Sequence, residues 1–357
     1  MRLAADDSAL APASVPRLVP GLVVAALVAV ASVGVAAIET RQMGHPVIEA
    51  LVVALILGMV VRLVWTPSEM FVPGIRFASK TLLEIAVVLL GMSIDFALLA
   101  RAGAALAFAI VVIVAGGLAI GVAIARALGL SPKLAILVAT GNAICGNSAI
   151  AAVAPVIEGD PHDVASSIAF TAILGVAVVL LLPLLILPLG LTHYQYGVLA
   201  GLTVYAVPQV LAAAFPVSAL AGDVATLVKL VRVLMLGPVV LFFALWVRRV
   251  RMRRETLTGG VARDARLPSL GLLVPWFIVA FVVVAALRAA GVLPSGWVSP
   301  ARATSTYLTI LAMAALGLSA DPRAVARAGS RVVAAVTLSL AVLVVLGIAA
   351  IAILRIR

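Results

Sequence analysis

The sequence predicts an all-α polytopic membrane protein, and three observations predict it. Of 357 residues, 65% are hydrophobic and only 11% are charged, against about 25% charged in a soluble domain. Mean hydropathy is +1.29. The apolar residues gather into long runs, and roughly 20 apolar residues suffice for a helix to cross the hydrocarbon core. A soluble core cannot absorb that much apolar surface, so the solvent is lipid. The 28 glycines and 19 prolines agree, because both are commoner in membrane helices than in soluble ones.

About eleven segments meet the length criterion or nearly do: 18–38, 46–64, 81–99, 103–126, 132–157, 164–189, 195–214, 221–247, 270–290, 302–320 and 330–353. The first begins near Pro20 and exceeds a signal-peptide apolar region. No small-residue exit into a soluble domain follows it, so it reads as a first span. Residues 1–17 then form a cytoplasmic N-terminal segment, and 18–357 form a single transmembrane domain. In the third segment Glu84 follows Lys80 by four residues. That spacing suits an ion pair at the cytoplasmic end, with proton coupling through Glu84 as the alternative.

The third segment closes on LGMSIDFALLARAG, residues 90–103, and LGLSADPRAVARAG closes the tenth at 316–329. Eight of the 14 positions match. Gly, Ser and Asp favour helix ends, and an Ala-rich chain produces such matches by composition. The sharper reading is a duplication. Seven spans separate the copies, so they point in opposite directions, as repeats do in alternating-access transporters. Asp95 and Asp321 lie near Arg101 and Arg327 and read as local ion pairs or caps.

The fifth segment carries the chemistry. Its apolar run is interrupted at Thr140-Gly141-Asn142 and again at Gly146-Asn147-Ser148. In hydrocarbon every backbone N–H and C=O needs a partner, so such residues predict a discontinuous helix around 140–148. A broken helix presents a positive half-helix end that attracts anions. The amides of Asn142 and Asn147 and the hydroxyls of Thr140 and Ser148 add donors. Close packing through small residues is the alternative, but it does not call for two asparagines. Cys145 reads as a small packing residue.

The seventh segment is weak and contains Gln209. The eighth holds Lys229 and Arg232 one turn apart on one face. Charges at the bilayer centre are costly and usually mark a pathway; snorkelling to the interface is the alternative. Arg232 can hold an oxyanion bidentately, with Lys229 as a point charge. The 248–267 loop contains seven arginines and is therefore cytoplasmic. Alternation from it puts the N-terminus inside. It also puts Arg62, Arg76, Lys80, Arg126, Lys133, Arg323, Arg327 and Arg331 inside, and the acidic loop of Glu158, Asp160 and Asp163 outside. The net charge of +11 is thus a topology signal, and nucleic acid is not a partner. Thr304, Ser305 and Thr309 place hydroxyls on the tenth segment.

TGNAICGNSAIAAVAPVI, residues 140–157, resembles the signature of a bacterial inner-membrane family of sulfate exporters. LGMSID, AGDVATLVKLVRVLML (221–236) and LGLSAD match as well, and the resemblance runs from about residue 46. It implies an inverted-repeat fold of the sodium/proton antiporter and bile-acid transporter type, and export of sulfate or organosulfonates. Asn142 and Asn147 depart from the small residues of that signature. Tyr205 and Ala206 stand where the family has His and an acidic residue.

The sequence therefore predicts a secondary-active exporter of a small anion in the bacterial inner membrane. Its candidate binding residues are Thr140, Asn142, Gly146, Asn147, Ser148, Gln209, Lys229 and Arg232, with Glu84 as the coupling candidate. A sodium/proton antiporter is the alternative class, but it needs a mid-membrane carboxylate pair. An enzyme is not expected, since His45, His162 and His193 lie in loops or span ends. No metal or cofactor is expected, and a homodimer is a candidate assembly. No phosphate loop of the GxxxxGK[ST] type is present, so an ion or substrate gradient drives the cycle.

Overall fold

The computed structural model describes residues 15–43, 50–93, 96–258, 275–320 and 329–354, and these are helical with no strand among them. His45, Asp95, residues 259–267 of the basic loop, Asp321, Arg323 and Arg327 lie outside the described residues, as does much of the 90–103 and 316–329 repeat. Among the described residues, five helices are long and apolar enough to cross a membrane: Pro16–Glu39, Ala105–Ala127, Pro161–Leu189, Ala219–Val250 and Ser330–Ile353.

The chain divides into two compact units. The first holds residues 1–84 and 307–319. It contains α1 (Val15–Met43), α2 (Ala50–Val64), α3 (Val72–Phe77) and a π-helical turn (Ala78–Leu82). Its helices approach backbone to backbone. A Cβ on Gly58 would lie 2.9 Å from the Gly317 Cα, so only small residues fit there.

The second unit holds residues 85–306 and 320–357. It takes in most of α4 (Leu83–Leu90), then α5 (Phe96–Ala127), α6 (Pro132–Ala143), α7 (Asn147–Val153) and α8 (Pro161–Leu181). A 3₁₀ turn (Leu182–Leu185) and α9 (Ile186–Leu189) prolong α8, followed by α10 (His193–Thr203) and α11 (Val207–Ala214). Then come α12 (Ala219–Leu234), α13 (Leu236–Thr258), α14 (Trp276–Ala289), the first turns of α15 (Val298–Ser319) and α16 (Ser330–Ile353). At the starts of α12 and α15, Arg302 Nη2 donates to both Asp223 oxygens at 3.1 Å. Asp223 therefore pairs with Arg302 rather than with Lys229 or Arg232.

Two segments expected to cross instead fold back on themselves. From Lys133 to Glu158 an unbroken helix would run roughly 38 Å, yet Lys133 Nζ donates to the Glu158 carbonyl at 2.6 Å. The Ser131 hydroxyl also lies 3.5 Å from an Asp163 carboxylate oxygen. Both ends of 131–159 therefore lie together, and α6 and α7 form a helical hairpin with its tip at Ile144-Cys145-Gly146. The same holds for α10 and α11. Tyr196 and Ala213 would be roughly 26 Å apart along one helix, but the Tyr196 hydroxyl donates to the Ala213 carbonyl at 2.8 Å. That tip is Val204-Tyr205-Ala206.

The first hairpin starts on Pro132 with the Ser131 hydroxyl accepting from Leu134 N–H, a standard N-terminal device. Its tip needs Gly146, whose φ of +67° is cheap only without a Cβ. Gly146 N–H returns to the Gly141 carbonyl at 2.9 Å, closing the end of α6. Gly141 lets the two arms close, since a Cβ there would lie 2.8 Å from Ile150 Cδ1. The second hairpin opens with a capping box between Thr192 and Gln195.

Several expectations change accordingly. The fifth segment is discontinuous within 140–148 as expected, but its two arms fold back as a hairpin, and the seventh, a weak segment in the sequence, is a hairpin as well. Thr140, Gly141 and Asn142 stay helical, and the interruption falls at 144–146. The acidic Glu158 loop lies beside Lys133 rather than opposite it. The break expected near residue 100 lies earlier, because α5 already begins at Phe96. Residues 248–258, expected as loop, continue α13 to Thr258.

Candidate functional site at the hairpin tips

The two tips touch. A Cβ on Gly146 would lie 3.3 Å from the Tyr205 Cβ. The last carbonyls of α6 and α10 end at this junction, and a helix leaves its final four carbonyls without partners. Lys229 and Arg232 of α12 supply them. Lys229 Nζ donates to Ile144 O at 2.5 Å and to Val204 O at 2.9 Å, one carbonyl from each tip. Arg232 Nε donates to Ala143 O at 2.7 Å, and Nη2 donates to Asn142 O. Its Nη1 reaches Val204 O at 3.1 Å and Gly201 O at 3.5 Å. The two cations therefore staple both tips together and neutralise two negative helix ends.

Lys229 is 0% exposed and Arg232 is 1% exposed, which rules out snorkelling. Lys229 lies roughly 15 Å along α12 from Ala219, half the depth of a hydrocarbon core of about 30 Å. Neither cation pairs with a carboxylate among the described residues. Their titratable neighbours are each other, Cys145 and Tyr205. The α12 backbone reaches this position because Gly197 and Gly201 let α10 lie against it. A Cβ on Gly201 would meet Ala225 O at 2.6 Å.

On the opposite side, α8 faces the tips through Thr171 and Gly175, one turn apart. The Thr171 hydroxyl donates to Asn147 Oδ1 at 2.7 Å. A Cβ on Gly175 would overlap the Gln209 amide, so glycine makes room for that side chain. Gln209 Oε1 accepts the Ala206 N–H at 3.1 Å. Asn147 is half-buried and Ser148 is exposed, whereas Gln209 and Thr171 are buried.

The structure thus brings Asn142, Gly146, Asn147, Ser148, Gln209, Lys229 and Arg232 to one junction. Thr140 lies on the same hairpin, but its hydroxyl donates back to Ile136 O at 2.7 Å. Asn142 Nδ2 donates to Val336 O of α16 at 3.0 Å; its Oδ1 is buried without a partner among the described residues, as is the Tyr205 hydroxyl. Glu84 is half-buried at the start of α4 and belongs to the other unit. Sequence reasoning missed Thr171 and Gly175, and it marked Tyr205 only as a departure from the family's histidine. The only signal for Thr171 was a hydroxyl inside an apolar helix.

A family model described as Conserved hypothetical protein 698 matches residues 20–336. A UPF0324 membrane protein of Bradyrhizobium diazoefficiens is 48% identical over 339 residues, 94% of this chain and 93% of the relative. One from Brucella melitensis is 48% identical over 326 residues, 91% of this chain and 88% of the relative. A more distant one from Bacillus cereus is 33% identical over 297 residues, 83% and 82% of the two chains. No solved structure matches the chain.

Proposed function

The chain belongs to the Conserved hypothetical protein 698 family of UPF0324 membrane proteins, and on that premise we propose that it is a secondary-active transporter of a small anion. The observation that carries this reading is the charge at the tips: two fully buried cations with no carboxylate partner among the described residues. At roughly 8 Å and an effective dielectric of about 20, each attracts a unit anion by about 2 kcal/mol. Desolvating an ion costs several kcal/mol, so charge alone does not hold it; donors must. Asn147 and Ser148 are the candidates that can donate. A sodium site needs carboxylates where this junction has ammonium and guanidinium.

Both hairpins read as re-entrant, which leaves nine crossings. The Arg- and Lys-rich ends Arg62, Arg76, Arg126, Lys133 and Arg248 to Arg254 then fall on one side, the cytoplasm. The α6–α7 hairpin enters from that side, and α10–α11 enters from the other. Two re-entrant segments preserve the parity of eleven crossings, so the N-terminus stays cytoplasmic and the bacterial inner membrane remains the expected location. The offset between the 90–103 and 316–329 copies would carry residues 144–146 beyond the chain end. The opposed hairpins are therefore not copies under that short repeat. Opposed elements meeting at the midplane suit alternating access, with the anion released in turn to either side.

A thermal-shift screen of the detergent-purified protein tests this reading. Sulfate, sulfite, thiosulfate and small sulfonates are compared with sodium and lithium salts at constant ionic strength. A ligand at 100 times its Kd adds about 2.7 kcal/mol to stability, a shift of several degrees. One oxyanion stabilising the protein supports the reading and names the substrate class. Stabilisation by sodium or lithium alone sinks it in favour of cation antiport.

A further inference from the structure

The two carboxamides at the tips have their oxygens occupied. Asn147 Oδ1 holds the Thr171 hydroxyl proton, and Gln209 Oε1 holds the Ala206 N–H. A carboxamide whose oxygen already accepts presents only N–H donors from its other end. For Gln209 the backbone of its own hairpin fixes this polarity. For Asn147 a single side chain on a different helix fixes it.

The Thr171 hydroxyl has one proton and three acceptors within reach. Asn147 Oδ1 lies at 2.7 Å, Ile168 O at 3.1 Å and Ser167 O at 3.2 Å. The first is the ordinary O–H···O separation and the others are long for it, so the proton goes to Asn147. Thr171 is buried, with Gly141 packed against its methyl group: a Cβ on Gly141 would lie 3.1 Å from Thr171 Cγ2. The hydroxyl is thereby held in place between the hairpin and α8.

Resting on the anion reading above, we propose that Thr171 is a specificity-determining positioning residue, which fixes the Asn147 amide with its N–H donors toward the substrate and so makes the site accept anions. Without that hydroxyl the oxygen loses its donor, nothing distinguishes the two ends of the Asn147 amide, and it is free to turn over. In the turned orientation an oxygen faces the site and repels the hydrogen-bond-accepting surface of an oxyanion, so binding must first restore the donor-inward orientation. The ligands selected are anions with exposed acceptor oxygens.

The test measures sulfate affinity by titration calorimetry for wild type, Thr171→Val, Thr171→Ala and Thr171→Ser, with the ligand-free melting temperature of each. Valine keeps the shape and serine keeps the hydroxyl. The expected result is a loss of about tenfold or more for the valine and alanine variants. Serine should restore affinity to within about threefold, and the ligand-free melting temperatures should stay close to wild type. Alanine keeps the comparison open if valine fails to fold. Wild-type affinity in both hydroxyl-free variants overturns the proposal while leaving the anion reading intact. An equal loss in the serine variant also overturns it, since packing alone would then matter. A wild-type protein that binds neither sulfate nor any anion of the screen overturns the underlying reading and this inference with it.

Discussion

Replacing Arg232 with methionine will abolish the folded protein rather than its affinity for an anion. The guanidinium serves carbonyls of Asn142, Ala143, Gly201 and Val204 on two hairpins. Methionine fills similar space but donates nothing. Val204 O keeps Lys229, but the carbonyls of Asn142, Ala143 and Gly201 lose the guanidinium, at about 1–3 kcal/mol each. The sum is on the order of 5 kcal/mol, comparable to the whole stability of many domains. Size-exclusion chromatography in detergent should show aggregate in place of a monodisperse peak. Arg232→Lys, which keeps the charge and some donors, should recover part of it. A monodisperse Arg232→Met protein with an unchanged melting temperature and no anion binding would return Arg232 to the role its sequence position suggested, direct contact with the substrate.

The second large effect falls on function and spares the fold. Asn147→Asp is nearly isosteric, and its carboxylate still accepts the Thr171 proton. It removes both amide donors and adds a negative charge at a half-buried position. The lost hydrogen bonds to a charged ligand are worth about 1.5–3 kcal/mol, and repulsion from the new charge adds to that. Sulfate affinity should fall by about 100-fold or more, with a ligand-free melting temperature close to wild type. Wild-type sulfate binding in this variant would place the anion away from the tips.

The polar interruption at 140–148 and the paired cations of α12 were legible in the sequence because both violate the rule that hydrocarbon excludes polar groups. Their meeting was legible only in outline. The predicted partner of Lys229 and Arg232 was an anion, whereas the structure gives them carbonyls of the chain itself. That difference is physical: a carbonyl orphaned by a helix end is invisible in a side-chain pattern. The reversal of residues 131–159 was also invisible. A hydropathy window measures apolar length, and a hairpin with two arms fills the same window as one crossing. What separates them are distant contacts such as Lys133 with Glu158 and Gly141 with Ile150. The second tip is quieter still. Val204-Tyr205-Ala206 contains no Gly-Asn pair, and Pro208 at the start of α11 is its only break signal. Thr171 was hidden because a helical threonine most often bonds back to its own helix.

Those reversals are the foundation of the account, and substituted-cysteine accessibility tests them directly. Cys145 is the single native cysteine, so Cys145→Ser provides the background. Ser131→Cys and Asp160→Cys flank the first hairpin, and Leu191→Cys and Val217→Cys flank the second. Intact cells are treated with a membrane-impermeant maleimide and compared with inverted vesicles. Residues 131 and 160 should label together from the cytoplasmic side, and 191 and 217 together from the opposite side. Labelling of 131 and 160 from opposite faces would mean that the segment between them crosses the membrane, and the opposed hairpins and the anion site at their tips would fall together.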